Sequence, residues 1–344
     1  MNKKVGFLSS VCCLLFPAFC FARLGGAGAT FMGIGGGTRA IGMGGAYTAC
    51  ADGIEAIFWN PSGIANIKNV AFAGTHVNLF AGMSYENIAF VYPLRDGAIG
   101  ISAIGLLSGN IEVTTPEEQD GTGEFFSCND YCIGITYGRM MTDKFTAGAT
   151  IKAINMNIAK VSANGVAFDI GATYSIGIKG LKFGFSMSNF GPDCAYRGED
   201  LERTVGWPDY ESIMESDIIG EWRSEKFSLP LTFQVGASVK LLTTQTSTLT
   251  IEADLVHSCD QKETYAVGME YCMMNKYFGR LGYTEKNNIV PPGIKIVDRL
   301  LGNLTAGVGI TTTLPMMGQF TVDYSYESHQ YLSGIHRISL GFAL

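Results

Sequence analysis

Beyond its first residues, this chain of 344 has no apolar run long enough to cross a membrane as a helix. Charge is also scarce. Asp, Glu, Lys and Arg make up 16% of the residues while 47% are hydrophobic, against roughly 25% charged in soluble domains. The 24 basic residues are outnumbered by 31 acidic ones, for a net charge of −7, which argues against nucleic acid as a partner. Histidines number only 4, and His76, His257, His329 and His336 are scattered. His257 has Asp254 and Ser258 nearby, but neighbours at a strand tip make a poor catalytic triad. No Cys/His group has zinc-site spacing. Glycines crowd residues 33–37 and 42–45, yet no strand pattern precedes them and no Gly-Lys-Ser/Thr follows, so neither a dinucleotide loop nor a phosphate loop fits. No enzyme, cofactor or metal is expected.

What the chain does have is alternation. Leu249-Thr250-Ile251-Glu252-Ala253-Asp254-Leu255 places apolar residues at odd positions and polar ones at even positions. Phe320–Tyr326, with its apolar residues at even positions, and Leu231–Lys240 alternate in the same way. Period two means β-strand, with one apolar and one polar face. Segments of this kind are predicted at 70–80, 84–93, 97–107, 127–140, 143–157, 165–176, 181–190, 229–242, 247–257, 264–274, 277–285, 303–314, 318–327 and 334–344. At about 10 residues each they match tilted membrane-spanning strands. Lys152, Asp169, Lys240, Glu252, Asp254, Glu270, Arg280, Asp323 and Arg337 all fall on the polar face. Many glycines share it, among them Gly148, Gly171, Gly184, Gly236, Gly268, Gly307 and Gly309, and they suggest room in a lumen.

The connections sort by parity. Those after even-numbered segments are tight, as at Leu94-Arg95-Asp96-Gly97 and Met141-Thr142-Asp143; every long one, about 108–126, 191–228 and 286–302, follows an odd-numbered segment. Outer-membrane barrels have short periplasmic turns and longer outer loops in this arrangement. A two-sheet soluble sandwich, the competing fold, has no reason to sort its loops. The expectation is an all-β transmembrane antiparallel barrel of about 14 strands, residues 70–344, with both termini periplasmic. Residues 1–22 look like a secretory signal peptide: Lys3 and Lys4, an apolar Val5–Phe16, then a small-x-small Cys20-Phe21-Ala22. The last strand ends on Leu344, with Phe342 two places earlier, where a terminal aromatic is usual. Outer-membrane lipid and, during biogenesis, the barrel-assembly machinery are the expected partners, and the cell outer membrane the expected location.

Residues 23–69 read differently. Asp52 is placed to cap a helix start with Glu55 reaching back, and Asn60-Pro61-Ser62-Gly63 makes a turn. Ile54, Ile57, Phe58 and Trp59 form an apolar cluster. Arg39-Ala40-Ile41-Gly42-Met43-Gly44-Gly45-Ala46-Tyr47 and then Ala51-Asp52-Gly53-Ile54-Glu55-Ala56-Ile57-Phe58-Trp59-Asn60-Pro61-Ser62-Gly63-Ile64-Ala65 resemble the N-terminal signature of the PorV/PorQ family. That family is similar to the FadL-type outer-membrane transporters, which share the Asn-Pro-small-Gly element. His336-Arg337-Ile338-Ser339-Leu340-Gly341-Phe342 resembles the family's closing strand. The resemblance implies a FadL-like barrel with residues 23–69 folded into the lumen as a plug. Gly42, Gly44, Gly45, Asp52, Glu55, Trp59, Asn60, Pro61, Ser62 and Gly63 are then the gating candidates. It also implies two functions: passage of hydrophobic small molecules across the outer membrane, or service to type IX secretion, handling exported proteins. A purely structural surface barrel is a third possibility. Loop 191–228 carries ten acids against four bases, interleaved with Tyr196, Trp207, Tyr210 and Trp222. It is either a binding surface over the barrel mouth or a solvated loop.

Overall fold

The computed structural model describes residues 26–205, 218–286, 303–314, 318–329 and 334–344. Fourteen long strands run in chain order: β1 Ala71–Asn78, β2 Ser84–Leu94, β3 Gly97–Leu107, β4 Cys128–Thr142, β5 Phe145–Ile158, β6 Val161–Ser175 and β7 Lys182–Phe190. They continue as β8 Thr232–Thr243, β9 Ser247–Ser258, β10 Thr264–Met273, β11 Tyr277–Lys286, β12 Leu304–Leu314, β13 Gly318–Glu327 and β14 Ile335–Ala343. Each pairs antiparallel with its neighbours, and β1 pairs with β14 through Ala71↔Ala343 to Asn78↔His336. The sheet is thus a closed barrel with no free edge, which satisfies every strand's backbone groups within the wall.

Burial inverts the pattern of a water-soluble protein. Ile133 and Val308 are 57% and 59% exposed, while Glu252 and Arg337 are 0% and 1% exposed. The outward face is Ile88, Ile101, Ile151, Val235, Leu281 and Leu340 at mid-height. Tyr92, Tyr137, Tyr174 and Tyr277 stand outward near the short-turn end, and Tyr131, Phe190, Tyr265 and Tyr326 near the long-loop end. Two aromatic girdles around an apolar band are the pattern of a barrel surface matched to a bilayer.

Three expectations need correction. Strand β6 begins at Val161 instead of 165, because Ile158 of β5 pairs with Val161 across a two-residue turn; the link after odd-numbered β5 is short. The described chain starts at the long-loop end: Ala27 bridges Ser228, and the Gly28 amide donates to the Ser228 carbonyl at 2.9 Å. Only the C-terminus, where the Leu344 amide meets the Val70 carbonyl at 2.9 Å, lies at the short-turn end. Finally, the lumenal glycines do not leave open space. Residues between 42 and 62 pack against several of them, as set out below. The signal-peptide region, Trp207, Tyr210 and most of the 286–302 connection lie outside the described residues.

Candidate functional site

Residues 26–69 descend from Ser228 at the loop end to β1 at the turn end, touching the inward face of strands all round the ring. One helical turn, α1 Arg39–Gly42, and three 3-10 turns, Thr30–Gly33, Ile54–Phe58 and Pro61–Asn66, give the segment its shape. Glycine makes close approach to the wall possible. A Cβ at Gly42 would lie 3.2 Å from the Gly307 Cα, and one at Gly44, where φ is +70°, would lie 2.8 Å from the Tyr283 amide. On the wall side, a Cβ at Gly148, Gly171, Gly184 or Gly268 would collide with Pro61, Asn60, Thr48 or Met43 respectively.

Polar groups of the wall receive the segment's backbone. Asp254 Oδ2 on β9 accepts from the Tyr47 amide at 3.0 Å, the Thr48 amide at 2.9 Å and the Thr48 hydroxyl at 2.7 Å. Two residues along the same strand, and so on the same face, Glu252 accepts from the Ala49 amide at 2.5 Å and the Cys50 amide at 2.8 Å. Four successive amides are thus met by two carboxylates. Such charge-assisted bonds are roughly twice as strong as neutral ones.

Arg39 supplies the opposite charge. Its guanidinium forks onto both oxygens of Glu270 on β10, at 2.8 and 2.8 Å, and also pairs with Asp52. Glu270 is shared with Arg280 of β11 at 2.7 Å, and Arg280 in turn pairs with Asp323 of β13. A charge chain therefore runs from the segment across three wall strands. Higher up, Arg337 of β14 donates to the Gly35 carbonyl at 3.1 Å, and Asn87 of β2 accepts from the Gly37 amide at 2.8 Å.

The capping box expected at Asp52 and Glu55 does not form. Gly53 occupies the N-cap of the Ile54–Phe58 turn, with no side-chain cap. Asp52 turns to Arg39 instead. Glu55 accepts from the amides of Thr38 at 3.1 Å and Arg39 at 2.9 Å, capping the start of α1 from a distance. Burial, with the Asp323 charge beside it, pushes the Glu55 carboxyl above the usual carboxylate range, and the Thr38 amide pulls it back. The Asn-Pro-Ser-Gly element does form a turn. Asn60 Oδ1 caps the Pro61–Asn66 turn by accepting from the Ser62 amide at 3.1 Å, and its Nδ2 donates to the Thr48 carbonyl at 2.7 Å. Ser186 of β7 donates to the Trp59 carbonyl and the Trp59 indole donates to the Gly36 carbonyl, both at 2.8 Å. Gly63 sits where a Cβ would lie 2.5 Å from the Ala51 carbonyl oxygen. Gly42, Gly44, Asp52, Glu55, Trp59 and Asn60 to Gly63 thus belong to one packed unit, and Gly45 turns the chain after α1 at φ +79°. Of the outer-loop aromatics among the described residues, Tyr196 packs on Phe227 with ring centroids 5.4 Å apart, whereas Trp222 stands 64% exposed.

Three cavities flank this unit, of which one, about 150 Å³, lies between Arg39, Cys50 and Asp52 of the segment and Lys182, Ser238 and Glu270 of the wall. The loop-side one, about 150 Å³, is lined by Met32, Gly35, Phe58 and Trp59 of the segment and by Lys152, Asn189, Gln234 and Ser258 of the wall. The turn-side one, about 490 Å³, is lined by Arg39, Asp52, Ile54, Glu55 and Ile67 and by Phe278, Arg280, Asp323 and Leu340. Sequence reasoning passed over Glu252, Asp254, Glu270 and Arg280 as individual site residues. Their one signal was charge on the polar face of a strand, which marks a lumen-facing position but not its partner.

No family model matches the chain. No curated protein matches it either. Solved structures do. The CymD monoaromatic hydrocarbon channel superposes with a TM-score of 0.56 at 12% identity, over 90% of this chain and 98% of that one. The toluene transporter TbuX of Ralstonia pickettii gives 0.55 at 13% identity over 90% and 97%. A FadL homologue of Pseudomonas aeruginosa gives 0.51 at 11% identity over 89% and 97%. At these identities the likeness is one of fold, and the chain has the barrel architecture of FadL-like outer-membrane channels.

Proposed function

We propose that the protein is an outer-membrane channel for hydrophobic small molecules, closed by residues 26–69 acting as a lumenal plug. One observation carries this reading: the segment supplies most of the apolar lining of the loop-side cavity, through Met32, Phe58 and Trp59, with Pro230 and Val256 adding the rest. An apolar solute entering from the loop end meets polar wall on one side and the plug on the other. It gains most by covering Phe58 and Trp59, and Trp59 is one of the plug's anchors to β7. Occupancy therefore bears directly on the element that blocks the way to the larger turn-side cavity. The structurally similar proteins named as monoaromatic hydrocarbon and toluene channels support the same class of solute for this chain.

The test is uptake of a labelled hydrophobic probe in cells making the intact protein or a deletion of residues 30–60. Wild type should raise uptake over cells lacking it, and the deletion should also leak a small polar dye. A deletion that assembles as a heat-modifiable barrel yet changes neither flux would sink the plug role.

A second reading keeps the PorV/PorQ resemblance of residues 39–65: a barrel serving type IX secretion. Close packing of the segment on wall glycines is compatible with it, since a closed barrel suits a scaffold. Loss of surface-exposed exported proteins on removing the gene, with unchanged probe uptake, would select it.

A further inference from the structure

Loop 191–228 is acidic as a whole, but its charges are not mixed evenly. Three of its four bases, Arg197, Arg223 and Lys226, line one pocket of about 350 Å³ together with Ala195, Tyr196 and Ser224. Among the described residues none of the three makes an ion pair. The acids next in sequence to Arg197 are engaged elsewhere: Glu199 pairs with Lys160 at 3.6 Å, and Asp200 accepts from the Lys160 amide at 3.1 Å. Like charges held together on a surface repel, so their convergence needs a fixed frame or an anion.

The frame is present. Arg197 and Gly198 pair with Ser162 and Val161 at the loop end of β6. Cys194 and Phe227 exchange two backbone hydrogen bonds, both at 2.9 Å, and Tyr196 packs against Phe227. The Trp222 amide donates to the Leu201 carbonyl at 2.7 Å. Outgoing and returning arms of the loop are thus tied on both sides of the pocket, with Arg197 on one arm and Arg223 and Lys226 on the other.

We propose that this pocket binds a phosphate group. Two guanidinium forks and one ammonium suit a multivalent tetrahedral oxyanion, because each fork can engage two oxygens, and three cations exceed what a single carboxylate needs. The pocket opens at the long-loop end, so the phosphate belongs either to the headgroup of an outer-leaflet lipid or to a soluble phosphate ester. The site is independent of the lumen and of the transport reading.

The experiment uses the full chain in neutral-lipid nanodiscs. Calorimetric titration with inorganic phosphate should show salt-sensitive binding. The double variant Arg197→Gln/Arg223→Gln should weaken it at least about tenfold, since each lost charge-assisted bond is worth that order. Lys276→Gln, at the short-turn end, changes net charge equally per site and should leave binding intact. Heat-modifiable migration checks that every variant is assembled. No phosphate binding by wild type, undiminished binding by the double variant, or an equal loss in Lys276→Gln would each overturn the proposal. A second arm adds phosphorylated lipid A to the nanodiscs: suppression of the phosphate signal identifies the lipid headgroup as the source, and an unchanged signal identifies the soluble ester.

Discussion

Replacing Arg39 by Met should undock the lumenal segment while leaving the barrel wall intact. The side chain is the segment's one charged fork onto the wall, with both bonds to Glu270 at 2.8 Å. Breaking a buried ion pair from one side costs about 3–5 kcal/mol. Glu270 keeps its bond to Arg280 at 2.7 Å, so the carboxylate is not orphaned and the lower end applies. The Asp52 arm is half exposed and adds less than about 1 kcal/mol. A net loss of about 3 kcal/mol raises the open population about a hundredfold. Hydrogen exchange reads this directly, because the amides of residues 47–50 are protected only by Asp254 and Glu252 when the segment is seated. Their exchange should accelerate about a hundredfold in Arg39→Met, and less than about fivefold in Asp52→Asn. Leak of a small dye from proteoliposomes should rise in parallel. Unchanged exchange at 47–50 would refute the latch. So would equal loosening of β10 and β11, because Arg39 would then be supporting the wall and not holding the segment.

Three further outcomes follow from the geometry. Gly184→Val should cost about 1–3 kcal/mol through overpacking on Thr48, whereas Gly279→Ala, whose Cβ meets nothing within 4 Å, should be silent in thermal unfolding. Val235→Lys, on the apolar face at 48% exposure, should impair membrane assembly by about 2–4 kcal/mol, while Gln234→Lys should assemble; equal failure of both would contradict the assignment of faces. Pro61→Gly should loosen the Asn60 turn by about 0.4–1 kcal/mol through backbone entropy, seen as faster exchange at the Ser62 and Gly63 amides with wall strands unchanged.

The wall was legible because membrane strands announce themselves twice, in period two and in which face carries charge. Every one of the fourteen strands matches a predicted segment to within a few residues. The error at β6 has a physical source: Val161 to Asn164 extend the strand by pairing with β5 but alternate in the opposite phase, with polar Ser162 and Asn164 on the face that carries Val166, Phe168 and Ile170 further along. The site was legible in part. Glycine density at 33–45 marked a close-packed segment, and Asn60-Pro61 marked a turn. Partnership was not legible. Glu55 has the spacing of a local cap, yet it serves α1 across the fold. Nothing in Leu249–Leu255 says that Glu252 and Asp254 would accept amides from residues more than 200 positions earlier. Lumenal glycines read as space because a missing side chain looks the same whether water or another backbone fills the place.

The Arg337 bond to the Gly35 carbonyl spans 302 positions in sequence, and this has a bearing on how the molecule is made. Residues 26–69 emerge early, yet their partners lie on strands from β2 to β14, and β14 is also the strand that seals the ring against β1. A segment cannot be threaded afterwards into a lumen whose glycines already lie against its backbone. It has to be present as the sheet curls, with each new hairpin laid onto it in turn. The glycines at 148, 171, 184, 268 and 307 would then act as a mould, aligning each strand to the segment before its final neighbour arrives. In that sense the wall is cast around its own contents, and the last strand closes over a core that was there from the start.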